Sequence, residues 1–422
     1  MTCLNQDPDR LYALVPVVYA AGARLISRRA GVIAAALATC SPLLIWYSQE
    51  ARSYSMLALL CGVTLLAFAY ARASPTPRVL VAWVIACGLA LATHYYAALA
   101  VVPEAVWLLV LHRRRRSVQI AFALVAVCGL GLIPLAISQH GTGRGNWISH
   151  APFGRRLGQL VPQFAAGFDG PGHGVIEPVS IALVALGVVL LFVRRPADAA
   201  RRGALLAGGL ALAGFVLSLI LALAGFDDLL TRNMLGLWPA AALLVAGGLA
   251  ADRGRARWVG LGAAVALCVM GLVTAVGVAF DRDLQRPDWR VVASALGRGA
   301  PAGGRAILVQ HYRDLLPLSL YEPGLRFWGR HGAVTVRELD VVSFTSPVSA
   351  GFCWWGPACN LWPSRMQTSY PVAGFRAVSR RHVLQFSVLR MVAARPVRLT
   401  RSEISRVLSS THLVNDELLL QR

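Results

Sequence analysis

Residues 42–57 read PLLIWYSQEARSYSML, an apolar stretch broken by Gln49, Glu50 and Arg52. A carboxylate can take a proton from a hydroxyl or orient a cation, and a guanidinium's planar fork of donors suits a phosphate. In an extended or turn segment, residues i and i+2 point the same way. Glu50 and Arg52 are therefore expected to face one cavity. The alternative is a surface ion pair at helix ends, worth about 0–1 kcal/mol. Trp46, Tyr47, Ser48, Gln49 and Tyr54 crowd the same segment, and a helix end needs one cap rather than this many partners.

Two more polar clusters interrupt apolar runs. His94, Tyr95 and Tyr96 fall in LATHYYAAL. An interfacial aromatic belt accounts for the tyrosines, and a lone histidine is more often structural than catalytic. Arg232 and Asn233, in DDLLTRNMLGLWPAAALL, open another run behind Asp227 and Asp228. An arginine at a helix N-terminus opposes the helix dipole, so an anionic ligand would account for it. Arg10, in DPDRLYAL, has the same placement.

The elements that must position these residues are membrane helices. The chain has 422 residues, 56% hydrophobic and 14% charged, whereas soluble domains carry about a quarter charged. Its apolar runs approach the roughly 20 residues that cross hydrocarbon. The expected fold is an α-helical polytopic membrane protein with about ten spans, near 11–27, 31–47, 55–71, 79–93, 96–111, 118–137, 178–193, 203–224, 233–250 and 257–280. All 41 basic residues are arginine, for a net charge of +21. They punctuate the runs rather than forming a nucleic-acid patch. Alternate connections hold sixteen arginines, such as Arg113 to Arg116, against Asp198 and Asp252. By the positive-inside rule these connections are cytoplasmic. SQEARSYS, the N-terminus and everything after residue 280 then lie outside the cytoplasmic membrane. No signal peptide is legible in MTCLNQDPDR.

The chain divides near residue 281 into a membrane domain, 1–280, and an extracytoplasmic domain, 281–422. The latter carries 19 arginines and 10 acids and reads as small α/β. RPDWRVVASALGRGAP is an amphipathic helix, and GRAILVQH and HGAVTVREL are strands. Cys353 and Cys359, in GFCWWGPACNLWP, suit a disulfide in an oxidising compartment; no metal motif is evident. The connection 138–177 is long enough to suggest function. It contains Trp147 and FGRRLGQLVPQFAAGF, where Phe153, Leu157, Leu160, Val161 and Phe164 share one helical face, with Arg155 and Arg156 off it. That pattern suits a helix in the membrane interface or one packed on the external domain.

Residues 10–60 resemble the C-type glycosyltransferases of the protein O-mannosyltransferase and aminoarabinose-transferase group, glycosyltransferase family 39-like. Ser41, Pro42, Tyr47, Ser48, Gln49, Glu50, Ala51, Arg52 and Tyr54 match its Ser-Pro and Tyr-Ser-Gln-Glu-Ala-Arg-x-Tyr signature. THYYAAL, TRNMLGLWPAAALL and DWRVVASAL resemble its later landmarks, so the likeness covers roughly residues 10–295. It implies transfer of a sugar from a polyprenyl-phosphate donor to an acceptor hydroxyl, on a glycan or protein, at the outer membrane face. Arg52, Arg232 and Arg10 would bind the donor phosphate, with Glu50, Tyr54, Gln49 and His94 around phosphate and sugar. No cofactor beyond this lipid-linked donor is implied.

The family's catalytic Asp lies in a first external loop after an N-terminal span, upstream of the Arg that Arg10 matches. Asp7 and Asp9 are the only acids before Arg10 and stand too close to it to match. The base is thus expected upstream of this chain, which as given would be truncated, split or inactive. A non-catalytic binder or carrier of polyprenyl-linked glycans is the alternative, and a secondary transporter the third reading.

Overall fold

The computed structural model describes residues 8–50, 52–141, 148, 152–193, 198–251, 254–282, 284–285, 288–297, 302–309, 315–327, 332–344, 370–384, 386–400, 402–404 and 418–421. Asp7, Trp147, Cys353 and Cys359 lie outside the described residues, as do the side chains of Asp9 and Arg10. The chain forms two compact units, Met1–Gly277 and Val278–Arg422.

The first unit is helical. Its helices are α1 (Pro8–Leu25), α2 (Arg28–Cys40), α3 (Pro42–Ser48), α4 (Tyr54–Ala73), α5 (Pro77–Thr93), α6 (Ala98–Leu111), α7 (Arg116–Gly141), α8 (Phe153–Gly158), α9 (Leu160–Ala166), α10 (His173–Val193), α11 (Ala199–Leu223), α12 (Trp238–Leu249) and α13 (Gly254–Phe280). Short 3₁₀ turns, Tyr95–Ala97 and Thr231–Leu237, lead into α6 and α12. Each of the ten expected stretches is helical. Among the described residues, however, five helices (α4, α7, α10, α11 and α13) are long and apolar enough to cross a membrane, and α2 with α3 makes a sixth if a bent pair is one span. Of the other stretches, 96–111 and 233–250 open in 3₁₀ turns and 31–47 is broken at Ser41.

The break between α2 and α3 has a local cause. Ser41 is extended and its hydroxyl accepts from the Leu44 N–H at 3.4 Å. Pro42 has no N–H to continue the ladder, and the axis turns by 55°. Elsewhere small residues let helices approach closely, as membrane packing favours. A Cβ on Gly248 of α12 would collide with the Gly187 carbonyl of α10. Large apolar side chains such as Val127 and Leu130 on α7 remain exposed, forming a face that suits hydrocarbon.

The second unit carries α14 (Trp289–Leu296), α15 (Leu315–Ser319) and a six-stranded sheet of β1 (Arg305–Leu308), β2 (Arg326–Phe327), β3 (Val334–Phe344), β4 (Phe375–Val383), β5 (Phe386–Leu399) and β6 (Leu418–Gln421). Strand order is β2-β6-β1-β3-β5-β4; β1 and β3 run parallel, and the remaining pairs are antiparallel. Asp288 caps α14, and Trp289 stacks on Phe386 at 4.8 Å. Arg305 and Arg390 both donate to the Leu296 carbonyl, at 2.6 and 2.5 Å. Two cations thus complement the C-terminal end of the α14 dipole and tie the helix to the sheet.

Candidate functional site

In the helical unit the polar clusters converge at one end. Tyr47 and Tyr54, at the end of α3 and the start of α4, meet edge-on at 5.3 Å. Tyr54 then meets His94, beyond α5, at 5.5 Å. His94 lies between Tyr95 and Tyr96, at 5.2 and 5.1 Å. The Arg232 guanidinium stands over the Tyr54 ring, 6.0 Å from its centroid, within cation–π reach. Phe168, after α9, closes the other side against Trp46 at 5.4 Å and Tyr47 at 5.9 Å.

The backbone explains why these residues meet. The ladder of α3 ends as the Gln49 and Glu50 N–H groups donate to the Trp46 and Tyr47 carbonyls, both at 3.3 Å. The Arg52 N–H then turns back to the Glu50 carbonyl at 2.7 Å. Glu50 is partly buried, while Gln49 and Arg52 are exposed. The turn therefore differs from a simple extended segment: it separates the two charged residues by depth. His94 is the N-cap of the turn into α6, its Nδ1 accepting from the Tyr96 N–H at 3.4 Å. Burial, and secondly the Arg232 charge, push the His94 imidazole down to about 4, so it is neutral at physiological pH.

The same elements line a cavity of about 600 Å³. Ser41 and Pro42 at the start of α3, and Met234 and Leu237 after Arg232, contribute to its wall. Leu160, Phe164, Phe215 and Trp238 line it as well, and among the described lining residues Ser41 supplies the only hydroxyl. The arrangement is a greasy chamber walled in part by the turn that also carries Arg232.

Three features of this region were not visible in the sequence pattern. The expected interfacial helix is two short helices, α8 and α9, and Arg156 is buried rather than solvated. It pairs with both carboxylate oxygens of Asp227 and donates to the Leu229 carbonyl at 3.2 Å. The Arg156 hydrogen bonds hold the Asp227 carboxyl below the usual range. Secondly, His173 at the start of α10 sits between Asp169 and Glu177, its Nε2 3.7 and 2.7 Å from their oxygens. The turn carrying Asp169 is held tightly. Gly167 has φ +79°, and a Cβ there would meet Pro42 at 2.7 Å.

Thirdly, Glu104 lies inside α6 and is fully buried. It accepts from Thr64 at 3.1 Å and Trp83 at 3.2 Å, joining α4, α5 and α6. A carboxylate at membrane depth in LAVVPEAVWLL was the one available signal. Among the described residues, no cluster of His, Cys, Asp and Glu could hold a metal ion.

The family model described as the protein O-mannosyl-transferase TMEM260 N-terminal domain matches residues 16–118. That segment holds Glu50, Arg52, Tyr54 and His94; Arg232, α8 and α9 fall beyond it. No curated protein matches the chain. Residues 16–118 are thus similar to a protein O-mannosyltransferase domain, in a chain with apolar helices long enough to cross a membrane and a small sheet domain.

Proposed function

We propose that the chain transfers a sugar, mannose by its family likeness, from a polyprenyl-phosphate donor to an acceptor hydroxyl at the aromatic and cationic end of the helical unit. The observation that carries this reading is the apolar cavity whose wall includes Met234 and Leu237, from the same turn as Arg232. The residues after Arg232 wall a chamber of about 600 Å³ with almost no polar lining, which suits a prenyl chain. Arg232 itself sits on the Tyr54 ring where a phosphate attached to that chain would emerge. The aromatic rings of this cluster offer apolar faces to a sugar ring.

In the reaction the acceptor oxygen attacks the anomeric carbon as the carbon–oxygen bond to phosphate breaks. The acceptor proton goes to a carboxylate base, which the family resemblance puts upstream of Arg10. The leaving polyprenyl phosphate keeps the electron pair, and arginines stabilise its charge. Arg232 and the exposed Arg52 take that role, joined by Arg10. Glu50 orients Arg52 or receives sugar hydroxyls. We place this end of the unit, and the sheet domain, outside the cytoplasmic membrane, following the arginine-rich connections at the opposite helix ends.

Lipid binding tests the reading. Native mass spectrometry of the detergent-purified chain should show retained polyprenyl phosphate, and Ala242→Phe, which fills the cavity, should abolish retention. Undiminished retention in Ala242→Phe would place the lipid elsewhere and overturn the assignment.

A further inference from the structure

The segment α8–α9 has two unlike faces. Leu160, Val161 and Phe164 line the apolar cavity. Gln159 and Gln163, one helical turn apart, are buried at 8% and 6% exposure. Neither amide oxygen has a hydrogen-bond partner. The same holds for the hydroxyl of Thr231, 3% exposed, in the 3₁₀ turn against which α9 packs. A buried polar group left unsatisfied costs about 1–3 kcal/mol, and native proteins keep such groups rare. Three of them on two packed elements call for an occupant.

We propose that Gln159, Gln163 and Thr231 form a hydroxyl-binding subsite that takes the sugar of the lipid-linked donor. The proposal rests on the donor reading above and adds the recognition of the carried group. The chemistry is selective. Unfilled amide oxygens accept hydrogen bonds, so they suit O–H donors and repel a phosphate. The phosphate is left to the guanidinium of Arg232, the chain neighbour of Thr231. One ligand then spans both environments: prenyl chain in the cavity, phosphate at Arg232, hydroxyls on the amides. Arg156, in α8, fixes this segment through its buried pairing with Asp227, so the amides are held in place before the ligand arrives.

The experiment compares polyprenyl phosphate with polyprenyl-phosphate mannose as ligands of the full chain in lipid nanodiscs. The wild type should bind the mannosylated lipid about tenfold more tightly, as expected for one or two added hydrogen bonds. Gln163→Leu and Thr231→Val should each erase most of that preference while leaving polyprenyl phosphate binding unchanged. Thr231→Ser, which keeps the oxygen, should retain it. The ligand-free Gln163→Leu protein should also melt at a higher temperature, because an unsatisfied oxygen has been removed. Equal wild-type affinity for the two lipids, a preference that survives both substitutions, or a lowered melting temperature overturns the subsite. Failure of the wild type to bind either lipid instead overturns the donor reading beneath it.

Discussion

The guanidinium of Arg232 lies over the ring of Tyr54, which joins two motifs far apart in sequence. Arg232 is the second residue of the turn before α12, where its charge opposes the dipole. On the proposed reading the donor phosphate binds here. Arg232→Ala should weaken polyprenyl phosphate binding about ten- to a hundredfold, the scale of a lost charge-assisted hydrogen bond. Arg232→Lys should recover only part, because lysine lacks the planar fork. Isothermal titration with both variants measures this.

Arg156 and Asp227 hold the cavity's α8–α9 wall to the segment before Arg232. The arginine is 1% exposed, the aspartate 25%. Arg156→Met leaves a solvent-accessible Asp227 rather than a buried charge, so the expected cost is that of the lost charge-assisted hydrogen bonds, about 1.5–3 kcal/mol. The folded-state Asp227 carboxyl titrates below its ordinary range. Its contribution is therefore present at neutral pH and lost as pH falls through the folded value. Thermal unfolding of Arg156→Met against wild type should show a difference that shrinks in acid.

Glu104 binds α4, α5 and α6 together through Thr64 and Trp83. Glu104→Ala strands the Trp83 indole N–H and leaves a cavity, and should cost about 3 kcal/mol. Glu104→Gln keeps an acceptor and should cost less. Neither changes the Arg232 cluster, so ligand affinity in the folded fraction should hold while the melting temperature falls.

His94 supplies a pH signature. Its folded value, about 4, lies below the ordinary 6.5. Between these values the unfolded chain binds a proton that the folded chain does not, so stability rises with pH across that window. His94→Asn should flatten that part of the melting-temperature profile between pH 4 and 6.5 and leave the profile above pH 7 parallel to wild type.

Much of this arrangement is legible in the sequence for a physical reason. Polar residues at the edges of apolar runs are expensive, so Glu50, Tyr54, His94 and Arg232 stand out without any knowledge of their partners. The apolar runs themselves mark helices, but the expected span 31–47 runs straight through Ser41-Pro42, where the axis turns by 55°. The true helix lengths are less visible, since Ala97 and residues 234–237 continue the apolar runs of α6 and α12 yet lie in 3₁₀ turns. Arg156 illustrates the other limit. Helical periodicity places it off the apolar face, which reads as solvent, yet Asp227 makes that side an interior. Gln159 and Gln163 are concealed in the same way.

The central claim is tested most directly by following mannose. Nanodiscs containing the full chain would be supplied with labelled polyprenyl-phosphate mannose and an acceptor peptide mixture rich in serine and threonine. The account predicts label on hydroxyl side chains with matching release of polyprenyl phosphate, and a loss of roughly a hundredfold or more in Arg232→Ala. Lipid that binds in the cavity yet shows no turnover above that variant would contradict it.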